Sequence, residues 1–237
     1  MNQGEYSPIS GVYDLFTDGF DYDRYIEKIF ARAPLPQTGI ALDCGCGTGT
    51  LLLRLYERGF SCTGVDISED MLAVASQKIS DAGYRPHLVC QSLEQIDLYG
   101  AYDIAFCSLD TLNHLVYKRD MVSFIRRMYN FVEPGGYFVF DTKTEAAFGK
   151  TVGVRVEERD EVTLIIRGEF TSGMAYYDIT AFQPDENGLF RREDSLVEER
   201  FYSAGEINPV LKSAGFDVCD RFDFCGRTVR ICRKPEM

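Results

Sequence analysis

The sequence predicts an α/β fold in which helices cover both faces of a doubly wound, mostly parallel sheet of about seven strands. Two observations predict it. From about residue 40 to residue 141, short β-rich runs alternate with longer amphipathic runs, as in parallel strands joined by helical crossovers. A glycine-rich turn follows the first β-rich run, where such sheets bind ligands. The 237 residues suffice for one domain with an elaboration.

An N-terminal helical segment is expected to pack before the main fold begins. Its larger apolar residues recur at helical spacing, and they are Tyr22, Tyr25, Ile26, Ile29 and Phe30. Pro34 and Pro36 then forbid continuation of the helix, because proline lacks the amide hydrogen that a helix needs.

Five strands and the helices between them are expected next. The strands are predicted in the segments IALDC, SCTGVD, HLVCQ, YDIAFCSL and GYFVFD. The segment TLLLRLYERG predicts a helix after the first strand. Ser68 precedes two acidic residues and marks the start of a helix over about residues 69–82, which Gly83 ends. A further apolar stripe, from Met121 to Phe131, predicts a helix that the PGG segment breaks before the fifth strand.

The pattern changes after residue 141. Three strand-like segments, VTLIIRGEF, MAYYDITAF and LFRREDSLVEE, are separated by turn signals and show no helical period. We therefore expect an antiparallel β insertion over residues 150–200. Residues 1–149 and 201–237 would form the core.

The helix after the insertion has two possible starts. Ser203 and Glu206 can form a capping box, which leaves Pro209 inside the helix. Alternatively, Asn208 caps a helix that has Pro209 as its first residue. The segments FDVCDRF and TVRICRK then complete the sheet.

Composition limits the partners of this chain. Its 25 Lys and Arg residues against 37 Asp and Glu residues give a net charge of −12, which argues against a nucleic acid partner. No apolar run is long enough to span a membrane, and the first residues lack signal-peptide regions, so we expect a cytoplasmic protein. The eight cysteines lie scattered in apolar runs and are expected to be reduced. No metal site is expected, because ligand spacings of the required kind are missing.

The most informative segment is the turn after the first strand, which contains Asp43, Gly45, Cys46 and Gly47. Glycines at alternate positions let the backbone turn sharply and approach a ligand closely. The next strand ends at Asp66, whose carboxylate would face the same crevice and accept protons from both hydroxyls of a ribose. These features predict an adenosine-type ligand at the carboxyl ends of the strands.

The glycine spacing indicates which ligand. Dinucleotide sites use GxGxxG to seat a pyrophosphate, whereas this chain has GxGxG with Asp43 two residues before it. A carboxylate there would repel a pyrophosphate but can attract a cationic group. The segment resembles motif I of the class I S-adenosylmethionine-dependent methyltransferases, (D/E)xGxGxG. The resemblance implies a Rossmann-like core and S-adenosylmethionine as cofactor, with S-adenosylhomocysteine as product.

The resemblance also implies roles for residues beyond the turn. Asp66 would bind the ribose, and Ile67 and Met71 would pack around the adenine. Ser92 stands where many members have an aspartate for the adenine amine, so backbone groups near Leu93 would contribute to recognition. Cys107 would lie beneath the methionine part of the cofactor.

Tyr13 with Asp14, the segment CSLDTLNHL from Cys107 to Leu115, and the antiparallel insertion carry a closer resemblance. It is to a small-molecule branch of this family, which includes sugar amino-methyltransferases. It implies that Tyr13, and with it Tyr22, closes over the cofactor, and that the insertion forms a lid or wall of the acceptor pocket. The same tyrosines would alternatively be helix-packing aromatics. Either way, the resemblance implies a small-molecule acceptor. We expect the protein to be a monomer or a homodimer.

The predicted reaction is in-line displacement of the sulfonium methyl by a nitrogen or oxygen nucleophile, for which an uncharged amine needs no strong base. If a proton must leave, the candidates after the fourth strand are Asp110, Asn113 and His114. Asp110 and Asn113 could equally cap the following helix. Two other functions stay open at this point: a non-catalytic cofactor-binding module and, on weaker grounds, a nicotinamide-dependent oxidoreductase.

Overall fold

The computed structural model describes residues 10–11, 13–17, 19–185 and 187–236. The strands of the main sheet are β1 (Gly39–Cys44), β2 (Phe60–Asp66), β3 (Leu88–Cys90), β4 (Tyr102–Cys107), β5 (Val132–Lys143), β10 (Asp217–Phe224) and β11 (Arg227–Arg233). The second sheet consists of β6 (Gly153–Arg159), β7 (Val162–Thr171), β8 (Met174–Pro184) and β9 (Phe190–Arg200). The helices are α1 (Tyr13–Thr17), α2 (Tyr22–Phe30), α3 (Thr50–Glu57), α4 (Glu69–Asp81), α5 (Lys118–Phe131), α6 (Glu145–Gly149) and α7 (Ala204–Ala214).

The main sheet has the strand order β10-β11-β5-β4-β1-β2-β3, in which β10 and β11 run antiparallel to their neighbours. This arrangement confirms the predicted doubly wound fold. The chain moves outward from β1 to β3 and then returns to place β4 on the other side of β1. The carboxyl ends of β1 and β4 therefore flank a topological switch point, where open α/β sheets bind ligands.

Hydrophobic side chains cover both faces of this sheet. On one face, Phe124 of α5 and Leu211 of α7 pack with Phe138 of β5. On the other face, Ile26 of α2 and Leu52 of α3 belong to the same buried cluster as Phe106, Val139 and Phe224. Among the described residues, no helix combines the length and apolar character needed to cross a membrane.

Two elements differ from the sequence predictions. The insertion has four strands and not three, because the short segment with the sequence GVRVEER forms β6 in antiparallel register with β7. The PGG segment does not precede the fifth strand, since β5 already begins at Val132. Val132 pairs with Tyr102, the register then shifts, and parallel pairing resumes between Ile104 and Tyr137. The PGG segment is thus an irregularity within β5.

The start of α7 resolves the two sequence alternatives. The Glu206 carboxylate accepts hydrogen bonds from the backbone N–H and the hydroxyl of Ser203, so the capping box is present. Pro209 therefore lies inside the helix, and the start at Asn208 is wrong. The capping box and the buried face of α7 outweigh the backbone bond that proline cannot make.

Replacing Pro209 should therefore stabilise the protein. Pro209 is exposed and has no amide hydrogen, so Pro209→Ala adds a helical hydrogen bond without removing a packed side chain. We expect the free energy of unfolding, measured in urea titrations, to rise by about 1–3 kcal/mol. This figure already subtracts the opposing effect that the unfolded chain gains freedom when proline is removed. Lys212→Ala, at another exposed site of α7, should change it by less than about 0.5 kcal/mol. A destabilised Pro209→Ala variant would contradict this account.

Candidate functional site

A cavity that is partly open to solvent lies at the switch point between β1 and β4, and its empty space, open solvent included, is about 810 Å³. Of the residues predicted to bind the cofactor, those that line it are Tyr13, Tyr22, Asp43, Gly45, Cys46, Gly47, Asp66, Ile67 and Met71. The loop after β4 and the two N-terminal helices therefore face the glycine turn across one space.

The glycine turn needs its glycines for two different reasons. Gly45, Gly47 and Gly49 all have positive φ angles, 72°, 52° and 79°, which disfavour other residues. A Cβ atom on Gly45 would lie 2.2 Å from Cγ2 of Thr111, so the turn packs directly on the loop after β4. A Cβ atom on Gly47 would meet nothing within 4 Å. Gly47 thus leaves open space for a ligand, whereas Gly45 allows contact between two parts of the protein.

Asp43, which carries the carboxyl group of the turn, is only 2% exposed. Burial, reinforced by the negative charge of Asp66, raises the pKa of Asp43 to about 7. No described residue donates a hydrogen bond to its Oδ2 atom. A buried carboxylate oxygen without a partner fits a cationic or hydrogen-bond-donating ligand.

Asp66 ends β2 beside the same turn. Its Oδ2 accepts a hydrogen bond from the Gly47 amide at 2.9 Å, and its Oδ1 accepts one from the Ser68 amide at 2.9 Å. Burial raises the pKa of Asp66, although these backbone bonds oppose the shift. Because each oxygen has a second lone pair, the carboxylate can still accept two hydroxyl protons from a ligand.

The loop after β4 is held in an unusual conformation by Asp141, which is 0% exposed at the end of β5. Leu109 and Asp110 have φ angles of 58° and 68°, which are costly for residues other than glycine. Their amides donate to the Asp141 carboxylate at 2.9 and 3.1 Å. The Tyr25 hydroxyl of α2 donates to the same carboxylate at 2.7 Å. One side chain therefore fixes both the loop and the N-terminal helix around the cavity.

A buried charge cluster lies behind this loop and reaches the second sheet. The Asp110 carboxylate lies 2.8 Å from the Arg227 guanidinium and 3.3 Å from the Lys143 ammonium. Lys143 also contacts Glu199 of β9 at 2.6 Å. Burial alone would raise the pKa of Asp110, but the two cations outweigh it and lower the pKa. Asp110 is thus an ionised structural carboxylate that ties β11 and β5 to the loop.

The other two candidates for proton transfer differ in position. Asn113 donates to the Arg200 carbonyl at 2.7 Å and accepts from the Lys143 amide at 3.0 Å. Only His114 of the three lines the cavity, and its Nε2 lies 3.7 Å from Oε1 of Glu199. Asp110 occupies the N-cap position of the short 3-10 turn Thr111–His114 but makes no side-chain capping bond there, and neither Asp110 nor Asn113 caps α5, whose N-cap is Tyr117.

Three predicted cofactor residues lie outside the cavity lining. Ser92 precedes a short 3-10 turn, and Leu93 is buried in the hydrophobic core beneath it. The Cys107 side chain is also buried in that core, where desolvation raises the pKa of its thiol well above the usual range. Ser108 and Leu109, the next residues along the chain, line the cavity instead.

The sequence analysis also missed a tether that holds α1 beside the turn. The Asp14 carboxylate accepts a hydrogen bond from the Thr48 hydroxyl at 2.6 Å and pairs with the Lys78 ammonium of α4 at 2.5 Å. Asp14 directly follows Tyr13, so the tether places Tyr13 on the cavity wall. Its partners are far apart in sequence, and no local pattern signals them.

Known proteins similar to this chain share one activity in their names. A family described as "Methyltransferase domain" matches residues 41–136. YqeM of Bacillus subtilis (strain 168), whose name describes a methyltransferase, is 30% identical over 220 residues, which cover 90% of this chain and 87% of that protein. An S-adenosylmethionine-dependent methyltransferase from Clostridium acetobutylicum ATCC 824 has a crystal structure with a TM-score of 0.84 and 26% identity, covering 97% of this chain and 99% of that chain.

A more distant structure shows likeness of fold alone. The sugar N-methyltransferase KedS8 from Streptoalloteichus sp ATCC 53650 is 21% identical, with a TM-score of 0.76 over 95% of this chain and 93% of that chain.

The raised pKa of Asp43 makes stability depend on pH. An acid whose pKa is raised on folding stabilises the protein fully below its unfolded pKa, and this contribution is lost as pH rises toward about 7. Asp43→Asn removes the titration. We expect its free energy of unfolding, relative to the parent protein, to increase by about 2–3 kcal/mol between pH 5 and pH 8 in urea titrations without ligand. A difference that stays constant with pH would contradict this assignment.

Removing the charge of Asp141 should destabilise the folded protein. Asp141→Asn keeps the size of the side chain but turns an amide NH₂ toward amide and hydroxyl donors. We expect a loss of about 2–4 kcal/mol in the free energy of unfolding, measured in urea. Asp178→Asn, at an exposed position of β8, should cost less than about 0.5 kcal/mol. Equal stability of the two variants would refute the role given to Asp141.

Proposed function

Because the chain belongs to the class I S-adenosylmethionine-dependent methyltransferases, we propose that it transfers a methyl group from S-adenosylmethionine to a nitrogen or oxygen atom of a small-molecule acceptor. One observation carries the proposal: Asp66 and the unpartnered oxygen of Asp43 line one cavity with the open space at Gly47. Ribose hydroxyls suit the first carboxylate, and a positively charged methionyl group suits the second.

The Asp43 carboxylate makes a nicotinamide dinucleotide a poor fit. Its pyrophosphate would bring negative charge beside the buried Asp43, where the low dielectric strengthens repulsion. The turn also places Asp43 where a dinucleotide site needs unobstructed amide donors.

Different residues of the cavity would bind different parts of the ligand. Asp66 would accept both ribose hydroxyl protons while its bonds to Gly47 and Ser68 hold it in place. Ile67 and Met71 offer apolar surface for the adenine.

Tyr13 and Tyr22 would complete the cavity from the N-terminal helices. Burial, and to a smaller extent the negative charge of Asp110, raises the pKa of Tyr13 to about 12. Burial also raises the pKa of Tyr22. Both phenols therefore stay protonated near neutral pH. They can donate hydrogen bonds to a carboxylate, which the methionyl part of the cofactor carries.

Bound S-adenosylmethionine supplies an electrophilic methyl group on its sulfonium sulfur. The contribution of the chain is to align the acceptor and exclude water, which is worth roughly 7–11 kcal/mol in favourable systems. His114 stands on the cavity wall and can orient the acceptor or take a proton from it. Asp110 is less suited to that task, because Lys143 and Arg227 hold its charge.

The acceptor we favour carries an amine. The net charge of −12 favours a small cation over an anionic partner, and KedS8, a fold neighbour, is named as a sugar N-methyltransferase. The insertion would form the wall beside the acceptor, since Glu199 of β9 approaches His114.

All eight cysteines are free thiols, which supports a cytoplasmic enzyme.

Removing the Asp66 carboxylate should weaken cofactor binding. Asp66→Ala eliminates two charge-assisted hydrogen bonds to the ribose, so we expect the affinity for S-adenosylhomocysteine to fall by about 1.5–3 kcal/mol in isothermal titration calorimetry. Asp70→Ala removes the same charge at an exposed position four residues along and should leave the affinity unchanged. The proposed function fails if the parent protein binds neither S-adenosylmethionine nor S-adenosylhomocysteine at millimolar ligand.

The acceptor class needs a separate assay. Labelled S-adenosylmethionine would be offered with panels of small amines, phenols and carboxylates, and methylated products would be counted. Transfer to amines supports the nitrogen acceptor. Transfer to phenols or carboxylates alone would replace that part of the proposal with an oxygen acceptor, and cofactor binding without any transfer would indicate a binding module.

A further inference from the structure

The permanent charges that line the cavity are of one sign. Asp43 and Asp66 place two carboxyl groups on its wall, and none of the described lining residues is a lysine or an arginine. His114 is the one described lining residue that could add a positive charge, when its ring is protonated. The cavity therefore has a negative electrostatic potential whenever the two carboxyl groups are ionised.

The cations that stand behind the cavity wall are already paired. The Lys78 ammonium contacts the Asp14 carboxylate at 2.5 Å. The Lys143 ammonium and the Arg227 guanidinium both contact the Asp110 carboxylate, at 3.3 and 2.8 Å. Because the field of a close ion pair falls off quickly with distance, these cations offset little of the charge on the lining carboxylates.

The two lining carboxylates differ in how far the protein compensates their charge. Asp66 accepts hydrogen bonds from the amides of Gly47 and Ser68. Asp43 is almost fully buried, and no described residue donates a hydrogen bond to its Oδ2 atom. Burial and the charge of Asp66 raise the pKa of Asp43 to about 7, so a positive charge that enters the cavity stabilises ionised Asp43. The uncompensated negative charge is thus centred on Asp43.

Methyl transfer removes one positive charge from the ligand of this cavity. The bond from sulfur to the methyl carbon breaks, its electron pair stays on sulfur, and the methyl carbon bonds to the acceptor. The sulfonium ion thereby becomes an uncharged thioether, while the adenine, ribose, ammonium and carboxylate groups stay the same. A cavity of negative potential therefore binds the two forms with unequal affinity.

We propose that Asp43 is a specificity-determining residue that favours the sulfonium cofactor over its uncharged thioether product, so that loss of the sulfonium charge promotes product release. The inference rests on the proposed function, because it concerns the same pair of ligands, and it adds discrimination to the binding role already given to Asp43. Such an effect needs no direct contact between Asp43 and sulfur, since charges interact across several ångströms in a buried site.

Isothermal titration calorimetry of Asp43→Asn at pH 8 tests the proposal. The variant should bind both S-adenosylmethionine and S-adenosylhomocysteine more weakly, because both carry the ammonium group. S-Adenosylmethionine should lose more, so the ratio of its dissociation constant to that of S-adenosylhomocysteine should rise by about tenfold, or about 1.4 kcal/mol. Asp70→Asn, which removes a charge at an exposed position, should leave the ratio as it is in the parent protein.

Asp66→Asn shows whether the discrimination belongs to Asp43. Both ligands carry the ribose, so this variant should weaken both by similar factors and change the ratio by less than about threefold. A larger change of the ratio for Asp66→Asn than for Asp43→Asn would overturn the assignment to Asp43. Unfolding midpoints in urea check that each variant is folded, and Asp43→Ser, which also removes the charge, replaces Asp43→Asn if that variant does not fold.

Sinefungin separates the effect of charge from contact with the methyl group. This analogue carries a protonated amine in place of the sulfonium methyl, so Asp43→Asn should weaken its binding as much as that of S-adenosylmethionine. If sinefungin instead behaves like S-adenosylhomocysteine, the methyl group and not the charge is recognised, and the proposal is wrong. Equal losses for S-adenosylmethionine and S-adenosylhomocysteine would also refute it while leaving the proposed function intact. A parent protein that binds neither would refute both.

Discussion

The buried carboxylate of Asp141 is the contact on which the geometry of the site depends. It accepts hydrogen bonds from the amides of Leu109 and Asp110 and from the hydroxyl of Tyr25. Those donors belong to a strained loop and to a separate helix, neither of which would hold its position alone. In a low-dielectric interior a charged acceptor is worth more than a neutral one, so a single side chain can hold both. The strain in the loop is thus offset by one strong acceptor outside it.

The surrounding charges extend this arrangement to the second sheet. Asp110, Lys143 and Arg227 link the loop to β5 and β11, and Lys143 continues the link to Glu199 of β9. Isolated buried charges would be costly, but each member here faces an opposite charge. The insertion is therefore attached to the core through the residues that stand behind the cavity. A shift of β9 in the insertion can therefore change the position of His114 through Glu199, while the glycine turn stays unaltered.

Sequence reasoning succeeded where the chemistry is local. The glycine turn, Asp43 and Asp66 occupy adjacent stretches of chain, and their spacing alone predicts a shared crevice. It failed where partners are distant: nothing near Asp141 or Asp14 in sequence indicates that they bind Tyr25 or Lys78. β6 was missed because its exposed, charge-rich residues lack the apolar run of a buried strand. Pro209 left two helix starts open, which only the capping box of Ser203 resolves.

The position of α2 has a consequence for the order in which the protein is made. Tyr25 and Phe20 pack on Phe224 of β10, and Arg32 pairs with Asp220 of the same strand. These partners leave the ribosome about two hundred residues after the helix does. A nascent chain can assemble the central strands early, but the packing of α2 that positions Tyr22 is complete only once β10 is present. The helix that carries Tyr22 to the ligand cavity thus docks on a strand that lies about two hundred residues later in the sequence.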